Sequence, residues 1–169
     1  MTYPGERVQL DVKVVPRACC KCEERLYQYT AIDEFTRLRY LAAYNEQSTF
    51  SSADFLKKAY AFFKHHGFTM ECVQTDNGFE FTNEMGNSKK KSLTMFEKTL
   101  AQLGIHHKKI KPFTPRHNGK VERSHRKDNE EFYASHKFYS FADFAKQLAV
   151  RQRQYNSFPM RPLNWRSPK

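Results

Sequence analysis

Residues 7–15 alternate between apolar and polar side chains, which is typical of a β-strand with two different faces. The apolar face consists of Val8, Leu10, Val12 and Val14. Asp11 lies on the opposite face, in the middle of the strand. A carboxylate at this position is either solvated at a groove or part of a functional site, and the strand would hold it rigidly.

The rest of the chain alternates strands and helices. Residues 25–33 and 37–44 are rich in β-branched and aromatic side chains, and the short link between them predicts a hairpin. The later elements are a helix from about Ser48 to His66, a strand at 68–75, a helix at 93–103, a strand at 105–110, and helices at 118–136 and 141–155. This order predicts an α/β fold, a five-stranded mixed sheet with three antiparallel strands, then parallel strands, and helices on both faces.

Two further acidic residues lie in distinctive settings. Asp76 ends an apolar strand and opens the turn Asp76-Asn77-Gly78, and Glu80 and Phe81 complete the stretch Asp-Asn-Gly-x-Glu-Phe. Glu122 follows a loop that reads Pro-x-His-Asn-Gly-x-x-Glu-Arg from Pro115 to Arg123. These segments and Asp11 resemble the catalytic core shared by retroviral integrases and DDE-type insertion-sequence transposases.

The resemblance implies a ribonuclease H-like fold and a metal-dependent reaction on DNA. Asp11, Asp76 and Glu122 would be the catalytic residues and the metal ligands, with Asp11 bridging two Mg²⁺ ions that Mn²⁺ could replace. Carboxylate oxygens are the ligands that such hard cations prefer, and paired cations stabilise both oxygens of a phosphoryl transfer. The three side chains are expected to converge within coordination range.

One departure concerns the spacing between Asp76 and Glu122. Forty-five residues separate them (122 − 76 − 1), where the family pattern has about 35. The polar stretch 83–92 accounts for the surplus, since surface insertions cost little stability.

The charge balance favours a nucleic-acid partner. Lysine and arginine exceed aspartate and glutamate by 11, and such an excess attracts phosphates without regard to sequence. The basic side chains nearest the acidic motifs are the candidate DNA contacts, with a solvated surface as the alternative for the helical ones. They are Lys120, Arg123, Arg126, Lys89, Lys90 and Lys91.

For four other side chains the sequence is consistent with an ordinary structural role. Asp33 is expected to cap a turn. Asp54 could be a fourth carboxylate of the kind that cellular ribonucleases H use, although an acid in the first turn of a helix is explained by the helix dipole. His117 and His125 could orient water or phosphate, with an ordinary surface position as the alternative.

The cysteines and the apolar segments exclude other classes of protein. Cys19 and Cys22 have C-x₂-C spacing, but no second ligand pair accompanies them, so free thiols are favoured over zinc. No apolar run approaches the roughly 20 residues that span a bilayer. The expected location is therefore the bacterial cytoplasm, at the nucleoid when DNA is bound.

Residues 1–169 are expected to form a single catalytic core domain, with any helix-turn-helix modules of the related transposases lying outside it. The expected activity is 3′-end cleavage of DNA followed by strand transfer, on transposon ends and a target duplex, by a homodimer or higher oligomer. The alternatives are a retroelement integrase, a nuclease of the same fold, or a catalytically silent DNA-binding or dimerisation module.

Overall fold

The computed structural model describes residues 1–83, 92–110 and 119–169, and its centre is a five-stranded sheet. The strands lie in the order β3-β2-β1-β4-β5. β1 pairs antiparallel with β2 and β2 with β3, whereas β4 runs parallel to both β1 and β5. This confirms the predicted mixed sheet. The strands are β1 (Val8–Val14), β2 (Tyr27–Asp33), β3 (Arg39–Tyr44), β4 (Cys72–Thr75) and β5 (His106–Lys109).

Four α-helices accompany the sheet: α1 (Thr49–His65), α2 (Met95–Gln102), α3 (Gly119–Asp128) and α4 (Phe141–Ser157). The Ser48 side chain caps α1 by accepting a hydrogen bond from the Ser51 amide, and Thr94 and Glu97 form a reciprocal capping box at α2. α3 continues directly into one π-helical turn, Asn129–Tyr133. None of the helices in the described ranges has the length and apolarity needed to cross a membrane.

The helices cover both faces of the sheet, and each face has its own hydrophobic core. On one face, Val8 and Leu10 pack with Phe55 and Phe63 of α1 and Phe96 of α2. On the other face, apolar side chains of the π-helical turn, α4 and the strand ends pack together: Phe132, Tyr133, Phe144, Leu148, Leu41 and Leu26. The predicted arrangement of helices on both sides is confirmed.

The polar side chains of β1 face α3. Gln9 Oε1 accepts a hydrogen bond from the amide of Val121, 3.1 Å away, and Lys13 Nζ lies 3.4 Å from the carbonyl oxygen of His125. Because side chains alternate along a strand, Asp11 lies on the same face, between these two contacts. The alternation therefore directs Asp11 toward the helix that carries Glu122.

Cys19 belongs to the core beneath α4. Its side chain is buried, and Sγ lies 3.1 Å from the carbonyl oxygen of Tyr133. All four cysteines have free thiols. The segment 19–22 therefore packs against this core through the buried Cys19 side chain.

Candidate active site

Asp11, Asp76 and Glu122 come from three elements: the central strand β1, the end of the neighbouring strand β4, and helix α3, which packs on β1. Asp11 lies in the middle of β1, Asp76 directly follows β4, and Glu122 lies in the first turn of α3. Gln9 is paired with Gln74 across the parallel strands, so the aspartates two residues further along fall on the same face. The Asp11 side chain is 20% exposed, whereas Asp76 and Glu122 are open to solvent.

The neighbouring carboxylates act on the charge of Asp11. Burial and the negative charges of Asp76, Glu80 and Glu122 together raise the pKa of Asp11 to about 7. A hydrogen bond from the amide of Val12 to Asp11 Oδ1, 2.9 Å long, opposes it. Four carboxylates thus share one electrostatic environment, and no lysine or arginine forms an ion pair with Asp11 in the described part of the chain.

The donor chemistry of this cluster fits a divalent cation, because ionised carboxylates are the ligands of Mg²⁺ and a cation would relieve their repulsion. Among the residues that the structure describes, no group of three or more His, Cys, Asp or Glu side chains stands close enough to hold an ion. The expected convergence of Asp11, Asp76 and Glu122 within coordination range stays a prediction. Their assignment as ligands stays a prediction.

His125 of α3 contacts Asp11 directly. Its Nδ1 lies 3.4 Å from Asp11 Oδ2, and its Nε2 lies 3.1 Å from Thr30 Oγ1. Burial, together with the positive charge of Lys13, lowers the pKa of His125 to about 4, so the imidazole is neutral at pH 7. A neutral imidazole that donates to Asp11 from Nδ1 must accept from Thr30 at Nε2. His125 is thus a half-buried side chain of the cluster, which excludes the ordinary surface position.

A buried charge network fixes the far end of α3. Asp128 accepts hydrogen bonds from Arg39 Nη1 at 2.8 Å, Arg151 Nε at 2.9 Å and Gln28 Nε2 at 2.9 Å. The side chains of Arg39 and Asp128 are fully buried, and the Arg39 guanidinium stacks on the Tyr155 ring, 3.9 Å from its centroid. The network joins β2, β3, α3 and α4, and it therefore sets the position of the helix that carries Glu122.

Lys120 is engaged in an ion pair at the start of α3. Its Nζ lies 2.8 Å from Glu34 Oε2, and Arg7 Nε lies 2.6 Å from Glu34 Oε1. Burial alone would raise the pKa of Glu34, but hydrogen bonds from Arg7, Lys120 and Gln9 outweigh it and lower the pKa to about 2. The predicted DNA contact of Lys120 stays a prediction, and a phosphate there would compete with Glu34.

The other predicted DNA contacts fall into two groups. Arg123 and Arg126 are exposed on α3, and neither forms an ion pair with another described residue. The predicted contacts of Lys89, Lys90 and Lys91 lie outside the described residues, as does His117.

The outcomes for the two other aspartates differ. Asp33 Oδ2 accepts hydrogen bonds from the amide and the hydroxyl of Thr36, both at 2.7 Å, which confirms the predicted turn cap. Asp54 lies beyond the first turn of α1 and pairs with Lys58 at 2.6 Å and with the Tyr44 hydroxyl at 2.6 Å. The helix-dipole explanation for Asp54 is therefore wrong, because Asp54 lies after the first turn of α1.

Two residues of the site had no assigned role in the sequence. Lys13 follows Asp11 by two positions on β1, so strand alternation alone places it on the same face. Its ammonium group contacts the carbonyl oxygen of His125, the Asn129 side chain and the Tyr133 ring. Glu80 belongs to the Asp76 motif, and its burial within the turn could be found only from the fold.

The mixed sheet and its strand order are those of the ribonuclease H-like fold. The chain belongs to the integrase core domain family, whose models match residues 2–115 and 103–168.

Solved structures with the same fold come from retroviral integrases. The HTLV-2 integrase catalytic core in complex with magnesium is 14% identical, with a TM-score of 0.68 over 99% of this chain and 95% of that one. The BIV integrase catalytic core is 16% identical, with a TM-score of 0.65 over 97% and 91%. A chain of the simian T-cell lymphotropic virus intasome is 19% identical, with a TM-score of 0.67 over 90% and 49%. At these identities the similarity establishes the fold.

A nearer relative is the Spiroplasma virus SpV1-C74 protein named "Putative integrase ORF3". It is 31% identical over 165 residues, which are 95% of this chain and 46% of that protein. The chain thus spans about half the length of this curated relative.

Proposed function

We propose that this chain is a metal-dependent polynucleotidyl transferase core, which cleaves DNA to free a 3′-hydroxyl and then joins that end to a second duplex. The observation that carries the proposal is the Asp11 carboxylate, which has no lysine or arginine partner among the described residues and whose pKa is raised to about 7 by burial and by Asp76, Glu80 and Glu122. Perturbed carboxylates in a cluster mark functional sites, because a catalytic group needs an environment that a scaffold avoids.

Asp11, Asp76 and Glu122 would hold two Mg²⁺ ions, for which Mn²⁺ could substitute. When bound, the cations would stabilise the charge on the attacking and leaving oxygens of an in-line displacement. Asp11 would be the ligand that both ions share, because its carboxylate interacts electrostatically with both Asp76 and Glu122. The neutral His125 imidazole, 3.4 Å from Asp11 Oδ2, would keep that carboxylate oriented without adding charge.

The substrate would be DNA, at the ends of a mobile or viral element and at its target. Arg123 and Arg126 are exposed on the helix that carries Glu122, and by neutralising phosphates they would give affinity without sequence preference. Lys13 adds a cation on the inner side of the same helix. The catalytic unit would be a homodimer or higher oligomer on DNA.

A direct test measures nicking of supercoiled plasmid and joining of a labelled oligonucleotide, each in Mg²⁺ and in Mn²⁺. Asp11→Asn, Asp76→Asn and Glu122→Gln should each lose both reactions while remaining folded. The matched control is Glu130→Gln, which changes an exposed glutamate further along the same helical segment and should retain wild-type activity.

The two activities separate the remaining classes. Cleavage without joining would identify a nuclease of this fold, and DNA binding without either reaction would identify a catalytically silent module. Full activity of Asp11→Asn would overturn the proposal as a whole.

A further inference from the structure

The turn that carries Asp76 rests on a buried carboxyl group. Glu80 is 4% exposed, and its Oε1 accepts a hydrogen bond of 2.7 Å from Gln47 Nε2. Gln47 lies in the connection between β3 and α1, directly before the Ser48 cap. Glu80 therefore ties the Asp76 turn to the start of α1, on a different part of the chain.

Gly78 links Glu80 to Asp76. The Gly78 amide donates a hydrogen bond of 3.0 Å to Asp76 Oδ1, and its carbonyl oxygen accepts from the amides of Phe81 and Thr82. A Cβ atom at position 78 would lie 2.5 Å from Glu80 Oε2, which is closer than real Cβ contacts. Any larger residue at position 78 would therefore require the Glu80 carboxyl group to move.

The second oxygen of Glu80 has no partner. Oε2 is buried and makes no hydrogen bond within the described residues. Burial raises the pKa of Glu80, and the charge of Asp76 adds to the rise. An unpaired oxygen in this position is costly for an ordinary structural glutamate, so the side chain needs a reason beyond stability.

We propose that Glu80 is a positioning residue for the candidate metal site. Its carboxyl group, fixed by Gln47 and covered by Gly78, holds the turn so that the Gly78 amide presents the Asp76 carboxylate toward Asp11. Displacing Glu80 would release Gly78, and with it the hydrogen bond that orients Asp76. The inference rests on the proposed function, because it concerns the same cluster.

The test measures Mg²⁺ binding by calorimetry and by the metal-induced shift in melting temperature, in addition to plasmid nicking. Glu80→Ala should raise the half-saturating Mg²⁺ concentration by about tenfold or more, which is the usual cost of losing a residue that orients a ligand. Glu80→Gln keeps the shape and an acceptor for Gln47, so it should stay within about threefold of wild type. Glu130→Ala, an exposed control, should bind Mg²⁺ as the wild type does.

A double-mutant cycle tests the contact itself. Gly78→Ala should weaken Mg²⁺ binding strongly in the wild-type background, since the new methyl group meets Glu80. In the Glu80→Ala background the clash partner is absent, and Gly78→Ala should then cost much less. Additive effects of the two substitutions would overturn the proposed contact.

The outcomes separate this inference from the proposed function. If Asp76→Asn abolishes Mg²⁺ binding and nicking while Glu80→Ala matches the wild type, only the role of Glu80 is overturned. If Asp76→Asn itself changes neither, the proposed function fails first. Should Glu80→Ala not fold, Gln47→Ala removes the hydrogen bond alone, and an unchanged Mg²⁺ requirement in that variant overturns the inference.

Discussion

Two carboxylates beside α3, Asp128 and Asp11, are both largely shielded from water, yet the surrounding charges shift their pKa values in opposite directions. At the C-terminal end of the helix, burial alone would raise the pKa of Asp128, but Arg39, Gln28 and Arg151 outweigh it and lower the pKa. Beside the middle of the helix, the pKa of Asp11 is raised to about 7 by burial and by three more acids.

This difference indicates that Asp128 has a structural role, whereas Asp11 belongs to the candidate active site. The Asp128 network joins four elements through matched charges, so it can hold α3 without any ligand. Asp11, by contrast, forms no ion pair with a lysine or arginine among the described residues, so none of these balances its charge directly. A divalent cation is the simplest such partner.

The largest expected effect is the loss of stability when Asp128, which is paired with two arginines, is replaced. Asp128→Ala leaves two buried guanidinium groups without their carboxylate, and removing one member of a buried pair costs about 3 to 5 kcal/mol of unfolding free energy. Urea denaturation measures the loss. Asp54→Ala, which breaks the exposed pair with Lys58, is the control and should change stability little. A loss for Asp128→Ala no larger than that of the control would contradict the scaffold role of the network.

Removing the charge of Asp11 should change the stability in the opposite direction from Asp128→Ala. The folded pKa of Asp11 is about 7, above its ordinary value of 3.8, so ionisation in the metal-free fold costs stability as the pH rises from about 4 to 7. Below pH 4 the carboxyl group is protonated in both states and costs nothing. Asp11→Asn should therefore stabilise the metal-free protein by about 2 kcal/mol at pH 8, roughly half of what the full shift allows, and hardly at pH 4.

Thermal denaturation at pH 4 and pH 8 measures this difference. Ser or Ala at position 11 would alter packing as well as charge, so Asn is the informative substitution. Equal stability of wild type and Asp11→Asn at pH 8 would mean that the cluster carries no electrostatic strain.

The smallest expected effect distinguishes two basic residues of α3. Arg126 is exposed and unpaired among the described residues, so Arg126→Ala should reduce the salt slope of DNA binding by about one unit and leave stability unchanged. Lys120 pairs with the buried Glu34, so Lys120→Ala should cost about 1 kcal/mol of stability with less effect on the slope. Binding measured across a range of salt concentrations, beside urea denaturation, tests both. The reverse pattern would assign the phosphate contact to Lys120.

Much of the fold follows from the sequence, because periodicity reports which face of an element is buried. The alternation around Asp11 and the hairpin of β2 and β3 each predict an observed feature. The three candidate carboxylates are recognisable from the strand alternation and from the two motifs. Periodicity does not report which distant side chains meet.

The pairs that sequence reasoning misses are the distant ones. Lys120 and Glu34 are 86 positions apart, and Arg39 and Asp128 are 89 apart. Their contacts depend on how α3 crosses the sheet, which no local pattern encodes. Glu80 was visible in its motif, but its burial under Gly78 depends on the path of the turn.

The most direct test of the central claim is a crystal structure of the protein soaked with Mn²⁺, in which anomalous scattering locates the ion. The ion should bind at the candidate site, with carboxylate oxygens of Asp11 and Asp76 as direct ligands and with Glu122 drawn toward them. If Mn²⁺ at saturating concentration binds elsewhere, or if Asp11 does not coordinate it, the claim that the Asp11 carboxylate is a metal ligand is contradicted.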